Sequence, residues 1–354
     1  MEFPGARRTS DGGRDLTPTS ANERRTVLVT GGAGYIGAHA CKALAAAGYV
    51  PVVYDNFVRG HRRAVMWGPL EEGDVADAAR LDAVFARHRP DAVMHFAALS
   101  EVGLSWSDPL AYYRNNVSGS FVLMERMLAH GVTTFVFSST CAVYGVPERS
   151  PISEDTPLAP INPYGRSKAM VETALADAAG AHGLNAVAMR YFNAAGASPE
   201  AEIGEDHEPE THLIPRVLMA ARDQGQVIGI NGTDYPTRDG SCVRDYVHVD
   251  DLARAHVAAL DHLLEGKLTG FHGINLGTGK GYSVLDIVAA AERVTGRRIR
   301  TETGPRRPGD APRLIADPSK ARDLFGWRPV ASELDMLLST AWEWTRHNSR
   351  AEAL

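Results

Sequence analysis

Thr26-Val27-Leu28-Val29-Thr30-Gly31-Gly32-Ala33-Gly34-Tyr35-Ile36-Gly37 is the stretch that decides the fold. Its β-branched and aliphatic opening predicts a short buried strand, and a glycine-rich turn follows at once. From about Tyr35 to Ala47 the sequence predicts a helix that stops at Gly48, a residue suited to the left-handed position beyond a helix end. Strand, glycine turn and helix in this order form a phosphate cradle. The glycines let the backbone turn sharply and approach a pyrophosphate, whose charge falls on free N–H groups at the helix start. The spacing Gly31-x-x-Gly34-x-x-Gly37 is one residue wider at its start than the common G-x-G-x-x-G pattern, and a bare tight turn is the plainer alternative.

Residues 50–54 predict a second strand. Asp55 ends it, 24 positions after Gly31, where an acid accepts both ribose hydroxyls of an adenosine and disfavours a 2′-phosphate. NAD is therefore expected over NADP, with Arg59, Arg62 and Arg63 in the following loop as the counter-argument. Asp74, after a strand near residues 69–73, is a candidate for the adenine amino group or else a solvated turn acid. Further strands near 92–96, 134–138 and 186–189, each with helical sequence before the next, predict an α/β fold: a Rossmann-type parallel sheet with helices on both faces.

The second half is less regular. Residues 227–230 and 243–249 read as strands. Asp250 and Asp251 open a helix with Leu252, Ala255, His256, Ala259 and Leu263 on one face. Ser283 and Asp286 form a capping-box-like start for a helix that ends at Gly296, and a last helix over about 332–346 presents Leu334, Leu337, Leu338, Trp342 and Trp344. The expected organisation is a disordered tail over 1–24, a dinucleotide domain over 25–192 and a smaller carboxyl-terminal α/β domain over 193–347 for substrate, with some segments returning to the first sheet.

The chain has 354 residues, 44% hydrophobic and 23% charged, enough for a large core in one domain or two close ones. A formal net charge of -6 leaves no footprint for nucleic acid. Cys41, Cys141 and Cys242 are far apart and fit buried, reduced thiols of a cytoplasmic protein. No apolar run approaches the roughly 18 residues of a membrane span, and the amino terminus lacks the apolar centre of a secretory signal.

Tyr164 and Lys168 are four residues apart at a predicted helix start, so both project from one face. A lysine ammonium and a positive nicotinamide close by would bring the phenol down from its usual value near 10 and make it a usable base. The pair comes one element after Ser138-Ser139-Thr140, at the carboxyl edge of a predicted strand, where ligands of open α/β sheets bind.

With Ser138-Ser139-Thr140-Cys141-Ala142-Val143-Tyr144-Gly145, Pro163-Tyr164-Gly165-Arg166-Ser167-Lys168 and the Gly31 loop on view, the chain resembles the extended short-chain dehydrogenase/reductase family, and within it the UDP-glucose 4-epimerases. The resemblance covers about residues 26–346. It extends through Asp55-Asn56, His95-Phe96-Ala97-Ala98, Tyr112-Tyr113-Arg114-Asn115-Asn116-Val117, Arg190-Tyr191-Phe192-Asn193, residues 235–240, residues 243–249 and residues 306–310. It implies a reaction in which Tyr164, as phenolate, takes the proton of the sugar 4-hydroxyl while C4 gives a hydride to NAD. The 4-keto sugar then turns over and takes the hydride back on its other face, so NAD stays bound through each cycle.

By the same resemblance Thr140 hydrogen-bonds the reacting oxygen, and Lys168 also holds the nicotinamide ribose. Gly31, Gly34, Tyr35, Ile36, Gly37, Asp55, Asn56 and Asp74 surround the adenosine diphosphate half of NAD. Phe96, Ala97, Ala98, Asn115, Ser138 and Tyr191 surround the rest. Arg244 and Arg307 take the pyrophosphate of a UDP-sugar, a role the guanidinium fork suits. Asp310 takes the uridine ribose, Asn193 the diphosphate side, and His212, Leu213 and Leu314 complete the sugar pocket. A homodimer through helices near 110–130 and 165–180 is also implied. Two departures stand out: Ser100 where some members have lysine, and Gly103-Leu104-Ser105 for the usual Gly-Glu-Ser. In Asp206-His207-Glu208-Pro209-Glu210-Thr211-His212, the proline and the spacing rule out a helical H-E-x-x-H motif, so no metal is expected.

UDP-glucose and UDP-galactose are the expected pair, with UDP-pentoses or UDP-uronates as alternatives on the same machinery. A nucleotide-sugar 4,6-dehydratase needs an acid and a base to eliminate water, and by resemblance such enzymes carry Asp-Glu after the strand-end threonine, where Cys141-Ala142 stand here. A non-catalytic NAD sensor would have no use for Tyr164, Lys168 and the arginines together.

Overall fold

The computed structural model describes residues 24–307 and 309–351, so the tail expected at the amino terminus lies almost wholly outside the described residues. The first half runs β1 (Thr26–Thr30), α1 (Tyr35–Ala46), β2 (Val50–Asp55), β3 (Leu70–Glu72), α2 (Ala78–His88), β4 (Ala92–His95), α3 (Val102–Ser107) and α4 (Pro109–Tyr112). A π-helical turn leads into α5 (Gly119–Ala129), and β5 (Thr134–Thr140), α6 (Pro163–His182) and β6 (Asn185–Tyr191) follow. The second half runs β7 (Asn193–Ala195), α7 (Leu213–Asp223), β8 (Val227–Asn231), β9 (Val243–Arg244), β10 (Tyr246–His248), α8 (Val249–Leu264) and β11 (Phe271–Leu276). It ends with β12 (Tyr282–Ser283), α9 (Val284–Thr295), β13 (Arg300–Gly304), β14 (Arg313–Leu314), α10 (Ser319–Phe325) and α11 (Leu334–Ala351).

Seven strands form one parallel sheet in the order β11-β6-β5-β4-β1-β2-β3. Alternation along β1 shows why both faces are covered. Val27 and Val29 pack with Leu44 of α1 and with Leu252, Ala255 and Ala259 of α8. Leu28, between them in sequence, joins Leu81 and Phe85 of α2, Leu123 of α5 and Leu175 of α6. Both faces are thus apolar, as a parallel sheet between two helical layers requires.

A third core lies outside the sheet. Val217 and Leu218 of α7, Ile228 and Ile230 of β8, Ile287 and Ala291 of α9, and Leu337, Leu338 and Trp342 of α11 pack together there. The apolar face expected of the last helix is the face that α11 buries, although Trp344 is only partly buried. Ser283 and Asp286 form the expected capping box, and Gly296 takes the left-handed position after α9.

One expectation changes, and one sheet strand was not foreseen. The strand expected over 243–249 is divided at Asp245, where the chain passes from one ladder to another: its N–H donates to Leu314 of β14 and its carbonyl accepts from Asn193 of β7, while its buried carboxylate accepts N–H bonds from Thr278, Gly279 and Ala316. And β11, beside β6, is a sheet strand that the pattern of 271–276 does not reveal, because Gly273 interrupts its apolar residues. Cys41, Cys141 and Cys242 are free and buried, as expected. No helix among the described residues is long and apolar enough to cross a membrane.

Candidate active site

The carboxyl ends of the parallel strands open into a cleft of about 920 Å³, at the upper end of the range for small-molecule sites. Gly31 sits at its floor with φ +72°, and a Cβ there would stand 2.4 Å from the Ala97 nitrogen. A Cβ on Gly37 would stand 2.1 Å from the Gly31 carbonyl oxygen. Only glycine at these two positions lets β1, β4 and α1 close around the turn. Helix α1 begins at Gly34 with no side-chain cap, so the N–H groups of its first turn stay available to an anion. The turn, Tyr35, Ile36, Phe96, Ala97, Ala98 and Asn115 all line the cleft.

Asp55 stands at the end of β2 with its carboxylate oriented by backbone: Oδ2 accepts from Ala33 N at 3.0 Å and Oδ1 from Phe57 N at 2.8 Å. Burial raises its pKa, and these N–H bonds work against the rise. Asn56 donates to Asp74 at 2.8 Å, which ties the exposed Asp74 to the rim beside the lining residues Gly73 and Val75. The three arginines that stood as the argument for a 2′-phosphate are each engaged by a carboxylate: Arg59 by Glu101 at 2.9 Å, Arg62 by Glu72 and Arg63 by Asp206. Arg59 and Ser100 both line the cleft and share Glu101, which pairs with the guanidinium through Oε1 and accepts from Ser100 N through Oε2, so a cation lies near the position where some family members carry lysine.

Thr140 ends β5, and Tyr164 and Lys168 occupy the first turns of α6. The start of that helix is fixed by Asn162, whose side chain accepts from Gly165 N at 2.8 Å, and by Pro163 at the first helical position. Tyr164 and Lys168 are 8% and 2% exposed. Lys168 donates from Nζ to the Ser138 carbonyl at 2.8 Å, and burial brings its pKa down to about 7 against the pull of the Glu172 carboxylate. Burial also pushes the Tyr164 phenol well above its ordinary value, and the Thr140 hydroxyl works against that rise. The agents expected to lower it further are the Lys168 ammonium and the positive nicotinamide together.

Ser138 and Tyr191, both expected at the cofactor, hydrogen-bond each other in the cleft wall. Behind them lies a buried network that sequence reasoning missed. Glu172, four residues after Lys168, holds Arg190 through Nε at 3.0 Å, and Arg190 Nη1 donates to the Tyr144 hydroxyl at 2.9 Å. The i, i+4 spacing of Lys168 and Glu172 was the available signal.

At the other end of the cleft Arg244 and Asp310, assigned to different parts of the substrate, form an ion pair at 2.9 Å. Arg244 also donates to the Val243 and Ala311 carbonyls. Asn193 donates to the Asp245 carbonyl at 3.0 Å. Leu314 packs on a buried cluster of Cys141, Val143, Tyr144, Ile152, Phe192 and Ala316. Arg307, Leu213 and His212 line the same region, and His212 points Nδ1 at Glu205 and Glu210. Cys141 is buried with its thiol pushed up to about 12, which leaves no acid–base pair after Thr140.

This sheet edge, with a glycine cradle at one end and an arginine–aspartate pair at the other, defines a two-ligand α/β enzyme. Residues 27–277 match the model of the NAD dependent epimerase/dehydratase family, and the chain belongs to that family. It is 52% identical to the UDP-glucose 4-epimerase of Rhizobium leguminosarum bv. trifolii, over 90% of this chain and 97% of that protein. The crystal structure of UDP-glucose 4-epimerase from Brucella ovis in complex with NAD superposes with a TM-score of 0.88 at 50% identity, covering 91% of this chain and 98% of that one. The Bifidobacterium longum enzyme in complex with NAD+ and UDP gives 0.86 at 39% identity, covering 92% and 99%.

Proposed function

We propose that this chain is an NAD-dependent isomerase that epimerises a nucleotide sugar at C4, with UDP-glucose and UDP-galactose as its substrates. The observation that carries the reading is the convergence of Thr140, Tyr164 and Lys168 on one cleft with the Gly31–Gly37 cradle and the Arg244–Asp310 pair. Relatives named UDP-glucose 4-epimerase over nearly the whole chain support it.

The cradle fits a dinucleotide, because its key glycines leave no room for a side chain where the backbone must approach a pyrophosphate. NAD supplies a hydride acceptor and donor at C4 and a positive charge beside the phenol. Gly31, Gly34, Gly37 and the first turn of α1 hold its pyrophosphate, Asp55 its adenosine ribose, and Lys168 its nicotinamide ribose. Tyr164 takes the proton from the sugar 4-hydroxyl at its phenolic oxygen and returns it after the 4-keto sugar has turned. Thr140 hydrogen-bonds the same oxygen and keeps it in place. Arg244 and Arg307 grip the diphosphate and Asp310 the uridine ribose, so the sugar can rotate while the nucleotide stays fixed.

Residues 25–192 carry most of the cofactor site and 193–347 most of the nucleotide-sugar site. The enzyme is cytoplasmic, in keeping with its free thiols. It works as a homodimer through α4, α5 and α6, which expose Leu110, Phe121 and Met170. Sedimentation as a species of 38.2 kDa would rule the dimer out. The function is tested by incubating the pure protein with UDP-galactose and no added cofactor. UDP-glucose should form, and its absence would overturn the reading.

A further inference from the structure

Among the described residues, Glu205, His207, Glu210 and His212 each offer one donor atom, and the four atoms lie within 4.8 Å of one another. His212 Nδ1 is 2.8 Å from a Glu205 oxygen and 2.9 Å from a Glu210 oxygen. His207 Nδ1 is 3.3 Å from Glu205 and 3.7 Å from Glu210. The same nitrogen of both imidazoles therefore faces the same two carboxylates. None of the four has a part in the proton or hydride steps.

Two carboxylates, each only 8% exposed, converge here, and a pair of buried anions needs matching positive charge. His207 Nδ1 is shielded from solvent and makes no hydrogen bond of acceptable geometry, although it points into the cluster. The rings of His207 and His212 are tilted by 47° with centroids 5.1 Å apart, so they are spread around a centre rather than stacked. A tetrahedral zinc ion, with bonds of about 2.0–2.2 Å, sets its donors about 3.3–3.6 Å apart. The histidine–carboxylate separations run from 2.8 to 3.7 Å, with Glu210 turning Oε1 to His212 and Oε2 to His207, and one donor atom from each of the four residues lies within 4.8 Å of the others.

We propose that Glu205, His207, Glu210 and His212 bind one divalent transition-metal ion of the zinc type through two imidazole nitrogens and two carboxylate oxygens. The mixed donor set favours such an ion over Mg²⁺ or Ca²⁺, which prefer all-oxygen shells. The expectation of no metal rested on helical spacing. Here a loop gathers the donors, so Pro209 is no obstacle. The ion is a clamp. Trp344 of α11 donates to the Glu205 carbonyl at 2.8 Å, His61 reaches the Asp206 carbonyl at 2.9 Å, and His212 is the residue on which α7 begins. Fixing the loop at its centre thus ties α11, the turn after β2 and the start of α7 into one wall of the cleft. Two imidazolium–carboxylate pairs without metal are the competing arrangement.

The test uses untagged full-length protein with its cofactor retained, stripped with chelator and dialysed against ZnCl₂ or CoCl₂. Wild type should retain about one zinc per chain by elemental analysis and melt at a higher temperature with the metal. His207→Ala and Glu210→Gln should hold zinc at least about tenfold more weakly while still carrying NAD. Retention well below one zinc per chain in wild type, or equal retention in wild type and both variants, would overturn the proposal. Should a variant lose NAD through misfolding, the cobalt form of wild type decides. Visible bands of a low-coordinate nitrogen–oxygen site support the metal, and a spectrum identical to aqueous Co²⁺ overturns it.

Discussion

Lys168 is hydrogen-bonded through Nζ to the main-chain carbonyl of Ser138 at 2.8 Å, so the cation is fastened to the edge of β5 rather than free at the helix surface. Tyr164, one helical turn earlier, is buried beside Thr140. In the proposed mechanism the proton passes through this phenol, so Tyr164→Phe should lower turnover by about 10²–10⁴, the usual worth of a positioned acid–base group. Calorimetric affinity for UDP should stay close to wild type. A near-normal rate for the Tyr164→Phe enzyme would sink the mechanism.

Cofactor identity rests on Asp55, held by the Ala33 and Phe57 N–H groups, and on three neighbouring arginines already paired with carboxylates. Protein purified without added cofactor should release about one NAD per chain on denaturation, because the reaction regenerates NAD in every cycle. Chromatography of the released dinucleotide checks this. NADP in its place would refute the role given to Asp55.

Sugar selection is expected to turn on Leu314. Its side chain is backed by Cys141 and Phe192, and a branched apolar group cannot hydrogen-bond an acetamido substituent. Wild type should strongly prefer UDP-glucose and UDP-galactose over the N-acetylated pair, within the about 1–3 kcal/mol that a pocket wall provides. Leu314→Ala should raise kcat/KM for UDP-N-acetylglucosamine, and Leu314→Tyr should not. Equal wild-type values for plain and N-acetylated sugars would show that this residue does not gate the site.

Stability has its own pH signature at Glu71. Burial alone raises this carboxyl, but His88, Arg87 and Arg80 outweigh it and hold the group down at about 2. An unfolded glutamate titrates near 4.3. With the folded value depressed, the contribution is complete above that range and is lost as pH falls toward 2. Glu71→Gln should therefore cost about 1–3 kcal/mol at pH 7 by urea denaturation. The gap should narrow once the pH drops below about 4, and a gap that stays constant down to pH 3 would contradict this account.

Local signals were strong where one element carries the chemistry. The Gly31–Gly37 turn, Asp55, the capped start of α9 and the Tyr164–Lys168 face could be read from spacing alone, since each depends on neighbours within a few residues. What escaped depends on distant partners. Glu172 meets Arg190 across two elements, and the Asp245 carboxylate serves N–H groups from residues 278, 279 and 316. The grouping of Glu205 with His207, Glu210 and His212 follows from the path of a loop, which no periodicity encodes. Strand β11 was hidden by Gly273, where a Cβ would stand 2.5 Å from the Arg190 guanidinium.

The return of β11 to the sheet also governs how the protein can be cut. Phe271–Leu276 zips along Ala186–Tyr191 and occupies the outer side of β6. A fragment ending near residue 192 would carry that edge bare, with a full row of unpaired amides ready to recruit another chain. The nucleotide-binding half is therefore a poor module for transplantation into a chimera. A split or permuted enzyme should keep residues 25–192 and 271–276 on associating pieces and place its new ends elsewhere.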